Sequence, residues 1–281
     1  MTNPPALVSV EWLMRHRTEP DLRILDASFY LPNQQRDAHA EYLERHLPGA
    51  VFFDIDRIAD HASGLPHMLP APQEFGRQVG ELGIDNADRV VVYDANRFLA
   101  SARAWWMFRI MGHQDVMVLD GGLAAWQAAG QPVEPGEVQL PARHFLSRFR
   151  PELVKDLAGI RAALDDDRTQ VVDVRSPGRF HGTEPEPRAG LRSGHMPGAF
   201  NLPYPELLDT DGRLLPNDQL QMAFDGVEVD LRLPIAASCG SGVSAAVLAL
   251  AAYQLGKEDL AVYDGSWTEW GGRQDTEVVK E

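Results

Sequence analysis

Leu233-Pro-Ile-Ala-Ala-Ser-Cys-Gly-Ser-Gly-Val-Ser-Ala-Ala-Val-Leu-Ala-Leu250 contains a strand, a glycine-rich loop and the start of a helix. The apolar strand ends at Ser238, the loop runs from Cys239 to Val243, and the helix begins near Ser244. Gly240 and Gly242 permit backbone angles that turn several N–H groups inward, which makes a nest for an anion. The helix start adds unpaired N–H donors and a partial positive charge. A sulfur there has its thiolate form stabilised, and a helix N-terminus can draw a cysteine below its ordinary pKa of about 8.5. A buried structural cysteine has no need of Gly-x-Gly at a strand-to-helix turn. Cys239 is therefore read as a reactive thiolate. A phosphatase loop of the Cys-x5-Arg type would need arginine where Ala245 stands, and no Walker-type Gly-Lys-Ser/Thr is present.

The rest of the chain repeats itself around this stretch. His46-Leu-Pro-Gly-Ala50 returns as His195-Met-Pro-Gly-Ala199, and Val118-Leu-Asp-Gly-Gly-Leu-Ala-Ala-Trp126 as Val262-Tyr-Asp-Gly-Ser-Trp-Thr-Glu-Trp270. Ile24-Leu-Asp-Ala27 pairs with Val171-Val-Asp-Val174. Landmarks in the same order at nearly the same offset make the chain a tandem duplication. Apolar runs predict buried strands at Arg23–Asp26, Arg89–Tyr93 and Val116–Leu119, then at Gln170–Val174, Pro234–Ser238 and Leu260–Tyr263. Helical segments are predicted at Ala102–Met111, Leu123–Ala129 and Ser244–Leu255. That alternation predicts an α/β fold, each half a mostly parallel sheet flanked by helices. Gln131–Pro151 is irregular and holds four prolines, so the linker is expected there. The expected domains are residues 1–135 and 153–281, joined by 136–152.

Sliding the second half onto the first puts Val91-Val-Tyr-Asp94 over Ala236-Ala-Ser-Cys239. Asp94 thus takes the nucleophile's place in the first half, where a carboxylate cannot do the work of a thiolate. The first domain is expected to be catalytically silent and to wall one side of a cleft. His46 and His195 recur in both halves, including the one without a nucleophile, so they are read as structural, like Asp120 and Asp264. Trp105 and Trp106 sit on a helix and are read as packing.

The 281 residues, 44% hydrophobic and 24% charged, have the proportions of an ordinary globular protein. A formal charge of −15 argues against binding to nucleic acid or to an anionic membrane. The single cysteine excludes an intramolecular disulfide and a cysteine-rich zinc site, and no metal or organic cofactor is expected. Met1-Thr-Asn-Pro-Pro-Ala6 has no basic stretch followed by an apolar run, and the longest apolar run, Ala245–Tyr253, is too short to span a bilayer. The expected location is cytoplasmic.

Cys239-Gly-Ser-Gly-Val-Ser244 resembles the active-site loop of the mercaptopyruvate-using branch of the two-domain rhodanese (sulfurtransferase) family. The resemblance covers nearly the whole chain, through His46–Ala50, Asp54-Ile-Asp56, His67-Met-Leu-Pro70 and Trp105-Trp-Met-Phe-Arg109. It continues through Gly178-Arg-Phe-His-Gly-Thr-Glu-Pro-Glu-Pro-Arg188 and Tyr263-Asp-Gly-Ser-Trp267. It implies two rhodanese-like domains and a ping-pong transfer of sulfur from 3-mercaptopyruvate through a Cys239 persulfide, with release of pyruvate. With no second cysteine the acceptor must be external: a small thiol, cyanide in an assay, or reduced thioredoxin. Arg179 and Arg188 match the family's two substrate-binding arginines, whose planar forks suit a carboxylate. The bland alternative is that each only pairs with Glu184, Glu186 or another acid. Gly240, Gly242, Val243 and Ser244 complete the expected binding loop. Ser241, His67 and Asp56 match a Ser–His–Asp relay in which His67 polarises Ser241 and Asp56 orients the imidazole; with His67 and Asp56 in the first half and Ser241 in the second, the relay is expected to span the domain cleft.

Two departures from the family pattern stand out. Ser244 replaces a commoner threonine and is expected to keep a hydroxyl for capping the helix, and Ala100-Ser-Ala-Arg103 replaces Ser-Ala-Pro-Arg. Thiosulfate-using members carry basic residues where this chain has Gly240 and Ser241, so the neutral loop favours mercaptopyruvate over doubly charged thiosulfate. Two alternatives stay open: a thiosulfate sulfurtransferase on the same scaffold, or a persulfide carrier without turnover.

Overall fold

The computed structural model describes residues 5–166 and 168–280, with the side chain of Pro32 left aside. Most of the N-terminal stretch read above for a leader, residues 1–4, lies outside the described residues, as do positions 167 and 281 of the expected second domain. The chain divides into two compact units. One takes the chain up to Asp60, Leu69–Arg150 and Thr210–Arg213; the other takes His61–Met68, Pro151–Asp209 and the chain from Leu214 onward.

The first unit holds strands β1 (Leu7–Val8), β2 (Leu22–Asp26), β3 (Val51–Phe52), β4 (Arg89–Tyr93) and β5 (Val116–Leu119) in the order β1-β5-β4-β2-β3. Its helices are α1 (Val10–His16), α2 (Ala38–Glu44), α3 (Pro72–Glu81), α4 (Ser101–Ile110) and α5 (Gly122–Ala128). The second unit holds β6 (Val154–Lys155), β7 (Gln170–Asp173), β8 (Phe200–Asn201), β9 (Ile235–Ser238) and β10 (Ala261–Tyr263) in the order β6-β10-β9-β7-β8. Its helices are α6 (Leu157–Asp165), α7 (Pro177–Phe180), α8 (Asn217–Gly226), α9 (Ala245–Gln254) and α10 (Ser266–Trp270). Every neighbouring strand pair is parallel. The expectation of mostly parallel sheets is met in full.

Strands buried on both faces need no alternation of polar and apolar residues, and the central strands show this. Val90–Tyr93 of β4 and all of β9 are buried. The helix behind β9 is apolar all round and buried from Ala245 to Tyr253, as a helix without a solvent face must be. Helix α4 is buried at every position; it accommodates Arg103 and Arg109 by laying their guanidinium groups over Trp106 and Trp105, 4.5 and 5.1 Å from the ring centroids. Both tryptophans are packing residues, as read from the sequence.

The duplication reaches the register of the sheets. Asp26 stands beside Tyr93 as Asp173 stands beside Ser238, and Val92 beside Val118 as Ala237 beside Val262. The two repeated histidines do the same structural work. His46 Nδ1 lies 2.8 Å from the Tyr42 carbonyl and His195 Nδ1 lies 2.9 Å from that of Phe180, both rings buried.

The proline-rich stretch expected as a linker lies largely against the first unit. The Arg143, Arg148 and Arg150 N–H groups donate to the carbonyls of Gly80, Met111 and Ile110 at 2.8, 2.7 and 2.7 Å. Phe145 is buried against Phe75 and Phe108, and the Asn86 amide clamps the backbone of Leu146 from both sides. Its backbone groups pair with helix ends and loops rather than with a strand, which explains the absence of any period in its sequence. No helix among the described residues is long and apolar enough to cross a membrane.

Candidate active site

Strand β9 delivers Cys239 to the C-terminal edge of the second sheet, where parallel α/β sheets place their sites. The thiol-bearing residue is 1% exposed. Three residues of α10 hold the loop that follows. The Cys239 N–H donates to Ser266 Oγ at 3.1 Å, and the Cys239 carbonyl accepts the Trp267 N–H at 2.9 Å. The Gly240 carbonyl accepts both the Thr268 N–H at 2.9 Å and the Thr268 hydroxyl at 2.7 Å. Ser266 Oγ donates to the Tyr263 carbonyl at 2.7 Å and stands 3.9 Å from Cys239 Sγ. Gly242 adopts φ +77°, the left-handed conformation that reverses the chain into α9. Ser241 and Val243 are buried in the loop, and Ser244 is half-buried at its end.

One expectation is corrected here. Ser244 occupies the N-cap position of α9 but its side chain makes no capping hydrogen bond. Its backbone is already helical, at φ −71° and ψ −17°, whereas a capping side chain needs the extended conformation to reach back to the first turn.

Arg179, on α7, lies against the loop. A Cβ at Gly240 would stand 3.1 Å from its Nη2. The ion pair weighed above against a substrate role is present, since Arg179 donates through Nη2 to Glu186 Oε2 at 2.6 Å. The Glu186 side chain, 1% exposed, also accepts from Arg175 Nη1 at 2.7 Å. Arg175 in turn pairs with Asp173 at 2.6 Å, donates to the Gly194 carbonyl at 2.7 Å and lies 4.0 Å over the Trp267 ring. Burial works against the charge of Arg175, but Asp173 and Glu186 more than offset it and raise its pKa. The chain Asp173–Arg175–Glu186–Arg179 thus alternates in sign and runs from the interior to the loop.

Arg188 and His67 come together in the second unit, although residue 67 lies within the stretch expected for the first domain. Arg188 Nη2 is 3.5 Å from His67 Nε2, and His67 is buried in the left-handed region at φ 60°. A non-glycine residue held there costs of order 1–3 kcal/mol, which marks it as a position held by its surroundings. Asp56 belongs to the first unit, where it is exposed and its N–H donates to Asp54 Oδ1 at 2.9 Å.

In the first unit the equivalent loop is filled by its own side chain. The Asp94 carbonyl accepts the Leu123 N–H at 3.0 Å, as the Cys239 carbonyl accepts that of Trp267. Asp94 Oδ1 accepts from Asn96 N–H at 2.9 Å, and Oδ2 from Ala100 and Ser101 N–H at 3.1 and 2.8 Å. The departing segment Ala100–Arg103 therefore serves to close this loop around a carboxylate.

Arg175, Ser266 and Thr268 carry no motif that marks them in the sequence, and Glu186 is marked there only as a possible ion-pair partner. A signal was available for Ser266 and Thr268, because the repeat aligns Ser266 with Gly122 and Thr268 with Ala124, so hydroxyls stand only in the half that has the cysteine.

A family model described as a rhodanese-like domain matches residues 9–129 and again 156–273. The chain is 45% identical to a 3-mercaptopyruvate sulfurtransferase of Rattus norvegicus, covering 98% of this chain and 94% of that one. It is 44% identical to a thiosulfate sulfurtransferase of Bos taurus, covering 97% and 94%. Among solved structures, SseA of Escherichia coli, a 3-mercaptopyruvate sulfotransferase with the rhodanese fold, superposes with a TM-score of 0.87 at 41% identity, covering 94% of this chain and 99% of that one.

Proposed function

Because the chain belongs to the rhodanese family, its second unit bearing the only cysteine, we propose that it is a 3-mercaptopyruvate sulfurtransferase with Cys239 as nucleophile. The observation that carries this choice of donor is the uncharged Gly240–Ser241 loop with the Arg179 guanidinium laid against it. Relatives named for either donor are equally similar overall, so the loop has to discriminate.

The Cys239 thiolate attacks the thiol sulfur of the substrate. A sulfur–sulfur bond forms, the carbon–sulfur bond breaks, and its electron pair passes to the carbon as the enolate of pyruvate. The proton released from the substrate thiol reaches that carbon, leaving pyruvate and an anionic Cys239 persulfide. An acceptor thiolate then attacks the outer sulfur and expels the Cys239 thiolate. Loop N–H groups from Gly240 to Ser244 would hold both anions. Arg188 and Arg179 are proposed to bind the substrate carboxylate, with Arg179 already half-committed to Glu186. Ser241 and His67 are proposed to carry the proton; Asp56, added by the family resemblance, is the carboxylate assigned to orient the imidazole. The first unit, with Asp94 in the loop, is proposed to be the silent half. Domain limits near 1–135 and 153–281 and an external thiol acceptor, small or thioredoxin-like, belong to the same reading, as does a reducing, cytoplasmic setting.

Steady-state transfer from 3-mercaptopyruvate and from thiosulfate, side by side with one thiol and with cyanide, tests the donor. A kcat/KM at least about tenfold higher for mercaptopyruvate, about 1.4 kcal/mol of transition-state preference, is expected. The reverse preference would make the chain a thiosulfate sulfurtransferase, the reading that the Bos taurus relative favours. Activity with neither would leave a persulfide carrier.

A further inference from the structure

The two halves offer an internal comparison, one with a nucleophile and one without. At matched backbone positions, Thr268 stands where the first half has Ala124. Its hydroxyl and its N–H both bind the Gly240 carbonyl, at 2.7 and 2.9 Å. The Gly240–Ser241 peptide is planar and trans, so its N–H points opposite to its carbonyl. With the carbonyl tied to α10 by two donors, the Ser241 N–H is directed to the other side of the loop. A glycine peptide has the freedom to flip, and a flip would turn a carbonyl oxygen where an N–H is needed. In the first half no such restraint is required, because the Asp94 carboxylate binds the loop amides directly.

We propose that Thr268 is a positioning residue, one that fixes the first peptide after the nucleophile and thereby keeps the loop N–H groups set for an anionic sulfur. The inference rests on reading Cys239 as the nucleophile but not on the identity of the sulfur donor. Thr268 is half-buried, and its Oγ1 reaches the loop through Gly240 rather than touching the thiol.

The test is the pH dependence of Cys239 alkylation by iodoacetamide, which needs no donor and therefore answers even if mercaptopyruvate is not the substrate. Thr268→Val keeps the shape and the backbone N–H but removes the hydroxyl; Thr268→Ala serves if valine disturbs folding. Both are expected to move the apparent thiol pKa upward by up to about one unit and to slow sulfur loading by roughly three- to tenfold. Thr268→Ser is expected to restore both, with thermal stability close to wild type in all variants that fold. A wild-type alkylation profile in the valine and alanine variants would overturn the proposal. So would a serine variant shifted as far as the other two.

Discussion

Arg179 Nη2 lies 3.1 Å from the place that a Cβ would take at Gly240, one residue past the nucleophile. Gly240 is outside the left-handed region, so alanine is allowed there by the backbone and its cost falls on the guanidinium. Gly240→Ala is expected to raise KM for mercaptopyruvate by roughly three- to tenfold, about 0.6–1.4 kcal/mol, with a smaller change in kcat. Initial-rate kinetics check this; a lowered kcat at unchanged KM would point to the loop amides instead.

Arg188, whose Nη2 lies 3.5 Å from His67 Nε2, is one of the two arginines on which binding of the substrate carboxylate is expected to depend. A hydrogen bond to a charged group contributes about 1.5–3 kcal/mol, so Arg188→Gly should raise KM between about ten- and a hundredfold. Mercaptopyruvate kinetics identical to wild type would remove Arg188 from substrate binding.

The buried Asp94 carboxylate is a structural anion that accepts three loop N–H groups. Asp94→Asn loses the charge and presents donors to donors, at an expected cost of about 1–3 kcal/mol. Denaturant unfolding should register that loss while kcat/KM stays within roughly twofold. A large loss of transfer in a fully folded variant would contradict the silent role of the first unit.

His113 is buried between Phe108 and Phe145, and burial lowers its pKa; the nearby Asp115 and Asp88 only partly oppose this. The unfolded chain protonates this imidazole near pH 6.5, the folded chain only below that. Its contribution is therefore complete above about pH 6.5 and is lost as the pH falls toward the lower folded value. Unfolding free energies between pH 7.5 and 5 should decline less steeply in His113→Phe than in wild type. Parallel slopes would exclude His113 as a source of acid sensitivity.

The parts of this protein that could be read from its sequence are those where one residue type has one explanation. The lone cysteine ahead of a Gly-x-Gly turn, the apolar runs of β4 and β9, and the repeated His-x-Pro-Gly-Ala turn are of that kind. Edge strands β1, β3, β6 and β8 are two residues long and leave no period to detect. Arg175 and Glu186 resemble any surface ion pair in sequence; only the fold buries both. Ser244 shows the opposite error, a residue type suited to capping whose backbone had already turned helical. Ser266 is legible as a loop anchor only through the repeat, where a hydroxyl replaces Gly122 at a left-handed position, φ 47° against 55°, that glycine ordinarily takes.

On the proposed mechanism all transferred sulfur passes through Cys239. Incubating the protein with 3-mercaptopyruvate and no acceptor, then counting pyruvate released and locating added sulfur by peptide mass spectrometry, tests it directly. Expected are one pyruvate per chain, one extra sulfur atom on the peptide bearing Cys239, its removal by cyanide or a thiol, and none of this in Cys239→Ser. Pyruvate release that persists in Cys239→Ser, or that leaves no sulfur on the wild-type chain, would contradict passage through Cys239.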